Sequence, residues 1–478
     1  MQTQPRPDPA QDENLLPKSR PPSSGRWLNL GLAVVGAGVY LAYVIKDWPE
    51  RTLVLGLGLV LFGGLLTARL YIGFGKNRLL QIFGLIIKSE RFWVGLLLVL
   101  IVGLGLGVRV LLIDPKTTQS DPETIADRAL FIIQTGNFDP TGYYLPNQPT
   151  NPISAFATPS LSVYLQTGAF AFYFLQGVAA DRYDGTSALE NPIVRADFTR
   201  WGQNFTALLG AATIGLVFWV TTLYYSSRAG LVAAFFLSLS YLHVRNSGYI
   251  STEIPAGLFA LLPFLLLWPI LQGKTQKWHY IGAGFLVGLA AGVIYANILL
   301  ILPLLLAYGL SRSPQKWLDS RLFLAMLGIS LGFLVATPFA FWHLPEFLTG
   351  LAGTPIANQN SWSSYINALA SRDLTVSLLG VGGIALAFAR HQRRDVVLLA
   401  FPLAFLLQLA GHKGDFSQNI LPFVPFLVIF AALGLVEGVA FFLKKWQPHR
   451  QNVLIAGLSL LAVVTPILTI LTGGGFKS

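Results

Sequence analysis

The sequence predicts an all-α integral membrane protein of about 13 transmembrane helices, with juxtamembrane helices in one large extracytoplasmic loop. Three observations carry that reading. The chain is 53% hydrophobic and only 12% charged, with a mean hydropathy of +0.59, too apolar for a water-exposed surface even over 478 residues. Runs such as Trp93 to Ile113 and Phe205 to Tyr225 reach the ~20 apolar residues that cross a bilayer as a helix, and such runs recur along the chain. They are apolar on every side and longer than the ~10-residue alternating strands of a membrane barrel, so helices must satisfy the backbone here.

The elements follow in order. Residues 1–26 hold Pro5, Pro7, Pro9, Pro17, Pro21 and Pro22 and lack an apolar core, so they read as a disordered cytoplasmic tail rather than a signal peptide. Residues 27–92 add two extra helices, near 27–45 and 52–72, and a cytoplasmic connection. Residues 93–472 form the main transmembrane domain, opening with a span over 93–113 and interrupted by the outer loop 114–204; residues 473–478 are a tail. Within the loop, 161–180 is apolar enough to cross, and the downstream charges decide its place. If it stays juxtamembrane, Arg228, Lys274, Lys277, Arg312, Lys316, Arg321, Arg390, Arg393, Arg394, Lys444, Lys445 and Arg450 all fall in cytoplasmic connections. Among the connections that follow residue 225, only Arg245, Arg372 and Lys413 then fall outside, as the positive-inside rule requires.

Residues 280–310 read as two helices joined by an outer turn near Gly292 to Asn297. The N-terminus is cytoplasmic, and the protein is multi-pass in the cell (cytoplasmic or inner) membrane. Four polar segments therefore share the outer face: 114–204, 243–253, 343–372 and 411–419.

The net charge of +11 reflects this insertion pattern and does not mark a nucleic-acid partner. With no cysteine, disulfides, thiolate metal sites and Cys nucleophiles are excluded. Walker-type Gly-Lys-Ser, HExxH and Gly-x-Ser-x-Gly motifs are absent too, which leaves ATP hydrolysis, zinc proteolysis and serine hydrolase chemistry without support.

The outer segments hold the candidate site residues. Asp121 and Glu123 are carboxylates suited to accepting a proton from a hydroxyl or amine; Asp121-Pro122 is equally a helix start, and the two roles are compatible. In His243 to Glu253, Arg245 can hold a phosphate with Glu253 orienting it, or it can sit as an interfacial cation while Thr252 or Glu253 caps the next helix. His412, Lys413 and Asp415 crowd a short turn, where Lys413 is a second phosphate ligand or an ordinary helix-end charge. Inside the spans, Arg109 lies near enough to the outer end of its helix to snorkel, and Glu437 resolves at the inner interface.

Taken together these segments resemble the membrane-embedded GT-C glycosyltransferases, in particular the family 39 branch that includes protein O-mannosyltransferases and bacterial aminoarabinose transferases. The matching blocks are Asp121 and Glu123, Gly136 to Pro140, Pro159 to Leu165, His243 to Ser247 with Thr252 and Glu253, Ile294 to Asn297, Thr337 to Phe339, and Lys413 with Gln418 to Phe426. Order and spacing agree from residue 93 to about 440. The sequence departs from the family pattern where Pro122 splits the acidic pair, Glu253 replaces Asp, Ile294 replaces Lys and Gln418 replaces Arg.

The resemblance implies transfer of a sugar from a polyprenyl-phosphate carrier to an acceptor (protein, lipid or glycan) on the outer face, with inversion. It implies Asp121 or Glu123 as base, and Arg245 and Lys413, with His243, Glu253 and His412 beside them, around the donor phosphate. No cofactor and no divalent metal are expected; the partners are the polyprenyl-phosphate sugar, an unknown acceptor and membrane lipids. The competing expectations are a non-catalytic carrier-binding protein of the same fold, and a transporter or flippase.

Overall fold

The computed structural model describes residues 90–113, 122–142, 155–156, 158–273, 276–311, 319–352, 362–411 and 417–471. The tails, the spans expected near 27–45 and 52–72, Asp121, His412 and Lys413 lie outside the described residues. The chain divides into two units, Met1–Gly95 and Leu96–Ser478. In the first, only residues 90–95 are described, as the first turns of a helix.

Among the described residues every regular element is helical. α1 (Glu90–Leu111) leads to the outer loop, whose helices are α2 (Pro122–Thr135) and α3 (Leu161–Ala179). α4 runs over Pro192–Tyr224. Its start is fixed by Asn191, whose side chain accepts from the Ile193 N–H, and by Pro192 at the first helical position. At 33 residues it is ~50 Å long, well beyond a ~30 Å hydrocarbon core. The span predicted to begin at Phe205 is thus the inner part of a longer helix, whose first turns belong to the outer layer. There α2, α3 and the start of α4 bury their own small core, with Ile125, Ala129, Leu130, Phe170, Phe198 and Ile250 at its centre, and Arg195 pairs with Asp127. Segment 161–180 packs on these helices.

The main bundle continues with α5 (Ser227–Leu239), α6 (Tyr241–Asn246), α7 (Glu253–Leu271), α8 (Lys277–Ala291), α9 (Ile301–Gly309), α10 (Ser320–Ala336), α11 (Phe339–Trp342) and α12 (Leu344–Ala352). It closes with α13 (Trp362–Arg372), α14 (Leu374–Arg390), α15 (Arg393–Gly411), α16 (Val424–Phe442), α17 (Pro448–Ala462) and α18 (Val464–Leu471). The break expected inside 280–310 is present, with α8 ending at Ala291 and a 3-10 turn over Tyr295–Leu300 before α9. Among the described residues five helices are long and apolar enough to cross a bilayer by themselves, or six if α13 and α14, bent by 115°, form one span; α5 and α10 are shorter. The described residues do not fix the expected count of 13. The buried core runs through α4, α5, α7, α8 and α16.

Without a hydrophobic drive between helices in lipid, close packing depends on small residues. Gly284 and Gly288 of α8 lie against Gly328 and Gly332 of α10 so closely that a Cβ on any of them would strike the partner's backbone at Ala325, Ile329, Ile281 or Phe285. Gly288→Leu is therefore expected to force these helices apart and abolish the monodisperse folded species in size-exclusion chromatography, whereas the same change at Gly215, where a Cβ meets nothing, leaves the profile intact.

The bundle has two polar ends. At one, the Tyr225 hydroxyl donates to Asp395 (2.8 Å), Arg390 pairs with Asp395 (3.6 Å) and Glu437 (3.5 Å), Arg394 donates to the Tyr224 carbonyl and Arg393 to that of Leu310. Glu437 is thus paired at a bundle end, with Arg390 as its partner. The other end gathers the outer loop, α6, the α11–α13 segment and the 3-10 turn before α16.

Candidate functional site

The centre of this second end is α6, six residues held by a charge at each terminus. At its N-terminus the buried carboxylate of Asp373, in the corner between α13 and α14, accepts from the N–H groups of Tyr241 (3.0 Å) and Leu242 (3.2 Å) and from the Ser240 hydroxyl (3.0 Å). The carboxylate thereby satisfies orphan donors and faces the positive end of the helix dipole.

At the other terminus stands Arg109 of α1. It does not snorkel: its residue is 0% exposed. Every guanidinium donor is used, Nε to Ser247 Oγ (3.2 Å), Nη1 to the Gly105 (2.8 Å) and Ser238 (3.2 Å) carbonyls, and Nη2 to the Leu237 carbonyl (3.1 Å) and His243 Nδ1 (2.9 Å). Helix-end carbonyls of α5 offer the fixed acceptors that a snorkelling arginine seeks in headgroups, so burial wins. Because arginine only donates, His243 Nδ1 must accept and the ring is neutral. Burial and the Arg109 charge both push its pKa well below the ordinary histidine value. His243 is thus enclosed (1% exposed) and acts as a strut of α6 rather than part of the wall of the site.

Arg245, two residues on, is half-buried, and its guanidinium makes no hydrogen bond or ion pair among the described residues. A clamped helix thus presents a partly desolvated cation that has no acceptor among the described residues. Glu253 lies half-buried in the first turn of α7; Thr252, at the N-cap position, makes no side-chain cap. Glu123 falls in the first turn of α2.

Other sequence blocks far apart also meet. The Leu161 N–H donates to the Gly292 carbonyl (3.1 Å), and the Tyr295 hydroxyl to the Phe156 carbonyl (2.9 Å). Phe156 packs with Ala340 and Phe347, and Asn297 is tied to the carbonyls of Ala256 (3.1 Å) and Ala290 (3.2 Å). The charge of Arg128, on α2, reaches Tyr295. Arg128 also lines a dent with Asn137, Asp139, Ser160 and Tyr164.

Asp139 and His343 form the pair that sequence reading missed. His343 Nε2 lies 2.9 Å from an Asp139 carboxylate oxygen, and the Thr141 N–H (2.9 Å) and hydroxyl (2.7 Å) donate to the other. Burial raises the Asp139 pKa, but the bonds from Thr141 and His343, with the His343 charge, outweigh it and hold the carboxyl below its ordinary value. A depressed folded-state pKa gives a contribution that is complete above the ordinary value of about 3.9 and lost as pH falls through the folded one. Asp139→Asn is accordingly expected to destabilise the protein at pH 6 by about 1 kcal/mol, as suits a partly exposed pair, with the difference shrinking below pH ~4. Thermal unfolding in detergent at the two pH values checks this.

Residues 197–342, which run from α4 through α6 to α11, match the family described as dolichyl-phosphate-mannose-protein mannosyltransferase. No curated protein matches the sequence. Among solved structures, ArnT from Cupriavidus metallidurans bound to undecaprenyl phosphate aligns with a TM-score of 0.53 at 14% identity, over 80% of this chain and 71% of that one. The apo oligosaccharyltransferase of Archaeoglobus fulgidus gives 0.52 at 14% identity, over 80% of this chain and 56% of its own. AglB from that organism, in complex with an inhibitory peptide and a dolichol-phosphate, gives 0.50 at 14% identity, over 80% and 55%. The chain thus spans just over half the length of the oligosaccharyltransferases. At this identity the likeness shows the fold: the chain is a multi-pass membrane protein with the architecture of these glycosyltransferases, as the resemblance to the GT-C group implied.

Proposed function

We propose that this chain transfers a sugar from a polyprenyl-phosphate-linked donor to an acceptor on the outer face of the membrane, with inversion. The observation that carries the proposal is Arg245, half-buried and without an acceptor among the described residues, on a helix fixed at both ends by Asp373 and Arg109. The family match covers this helix and names a lipid-phosphate sugar, and ArnT, of like fold, is bound to undecaprenyl phosphate.

In this reading a carboxylate at the start of α2, Asp121 or Glu123, takes the proton from the acceptor hydroxyl or amine. The acceptor atom bonds to the anomeric carbon as the bond from that carbon to the phosphate oxygen breaks. The bonding pair leaves with the oxygen, and polyprenyl phosphate departs against Arg245 and Lys413, with Glu253 orienting the arginine. Preorganised cations supply what a metal would otherwise supply, so no metal is expected.

Membrane vesicles carrying the purified protein and radiolabelled polyprenyl-phosphate sugars test this. Wild type is expected to release polyprenyl phosphate, and whichever of Asp121→Asn and Glu123→Gln abolishes release while leaving donor binding intact identifies the base. Binding of donor without release in any acceptor mixture would instead favour a carrier-binding protein of the same fold.

A further inference from the structure

The last helices carry an apolar groove that the proposed transfer does not use. It encloses about 890 Å³ and is lined by Trp446, Arg450, Val453, Leu454, Gly457, Leu458, Leu460, Leu461 and Val464. Ile455, Ser459 and Ala462 turn the opposite face of α17 into the bundle. From Arg450 to Val464 the helix rises ~20 Å, more than the ~15 Å that one leaflet contributes to a ~30 Å core.

Chemistry at the mouth is one-sided. Lys444, Lys445 and Arg450 are exposed beside the groove, and no Asp or Glu occurs after Glu437, which is itself paired with Arg390. The turn that sets these cations is ordered: Gln451 Nε2 donates to the Leu443 (2.8 Å) and Trp446 (3.3 Å) carbonyls, and Lys444 Nζ sits 4.8 Å from the Phe441 ring centroid. Trp446, 48% exposed, has the amphipathic ring that seats at the headgroup level.

We infer that this groove binds an anionic phospholipid, its phosphate held by Lys444, Lys445 and Arg450 and one acyl chain lying along α17 over Gly457. A neutral-headgroup lipid offers the same chains but no net charge to match the three cations, so the preference is for headgroup charge. Gly457 is where the chain comes closest, and a Cβ there meets nothing within 4 Å. A larger side chain fills the groove without disturbing the bundle and replaces a poor helix former.

The test is native mass spectrometry of the purified full chain, exchanged against phosphatidylglycerol or phosphatidylcholine of identical chains. Wild type is expected to retain phosphatidylglycerol about tenfold over phosphatidylcholine. The triple variant K444Q/K445Q/R450Q should lose that preference, and Gly457→Leu should lose retention of both, with unchanged melting in lipid-free detergent. Equal retention of the two lipids by wild type, or undiminished retention in Gly457→Leu, overturns the inference. So does cross-linking of a single cysteine at Leu461, in this cysteine-free chain, to residues 27–72 or to a second copy, since a protein segment would then occupy the groove.

Discussion

Arg109→Met is expected to lower the melting temperature more than any other single change at the outer end, with a loss of roughly 3 kcal/mol or more. The side chain ties α1 to α5 and α6 through five hydrogen bonds. Truncation strands the carbonyls of Gly105, Leu237 and Ser238 together with His243 Nδ1, and each buried polar group left without a partner costs about 1–3 kcal/mol. Removing the buried charge recovers part of that, which is why the net figure is far below the sum. Lysine should not rescue it: an ammonium on a longer stem cannot reproduce the planar fork, and the space is bounded by Gly105 and Gly210, each with the arginine close enough to crowd an added Cβ. Thermal unfolding of the two variants in detergent decides the matter, and wild-type melting of Arg109→Met would show that α6 is held by other means.

Arg245→Gln is expected to behave in the opposite way, leaving melting unchanged and lowering turnover by about 10²–10³-fold, the scale of removing one preorganised donor from a developing anion. Its guanidinium has no partner to strand among the described residues, so stability has little to lose. Arg245→Lys should retain part of the activity, since a point charge still draws phosphate but cannot grip it bidentately. A parallel fall in stability and activity would make Arg245 a structural residue.

The contrast between these two arginines shows how far the sequence could be read. Both stand near a helix end in an apolar setting, and by spacing alone both are consistent with interfacial snorkelling. Only the fold separates the one whose donors all meet protein acceptors from the one whose donors meet none among the described residues. The same holds for Asp139 and His343, 204 residues apart: no periodicity couples them, because they meet through the docking of Phe156 on α11 and α12. The role of Asp373 as a helix clamp likewise depends on the 115° corner that places it under α6.

What hydropathy does determine was legible: the apolar runs, the break after Ala291 and the meeting of separate polar segments at one end of the bundle. Those properties follow from burial and from insertion energetics, which are local. The facing glycines of α8 and α10 also leave a local trace, Gly284-x-x-x-Gly288 and Gly328-x-x-x-Gly332, the spacing at which small residues line one helix face.

The proposed transferase rests on a cation prepared for a lipid phosphate, and the most direct measurement is binding of polyprenyl phosphate to the purified protein in detergent. Saturable binding by wild type that weakens at least ~10-fold in Arg245→Gln, with melting unchanged, is the predicted result, as for loss of one charge-assisted phosphate contact. Equal affinity in the two proteins, or no saturable binding by wild type, would contradict it.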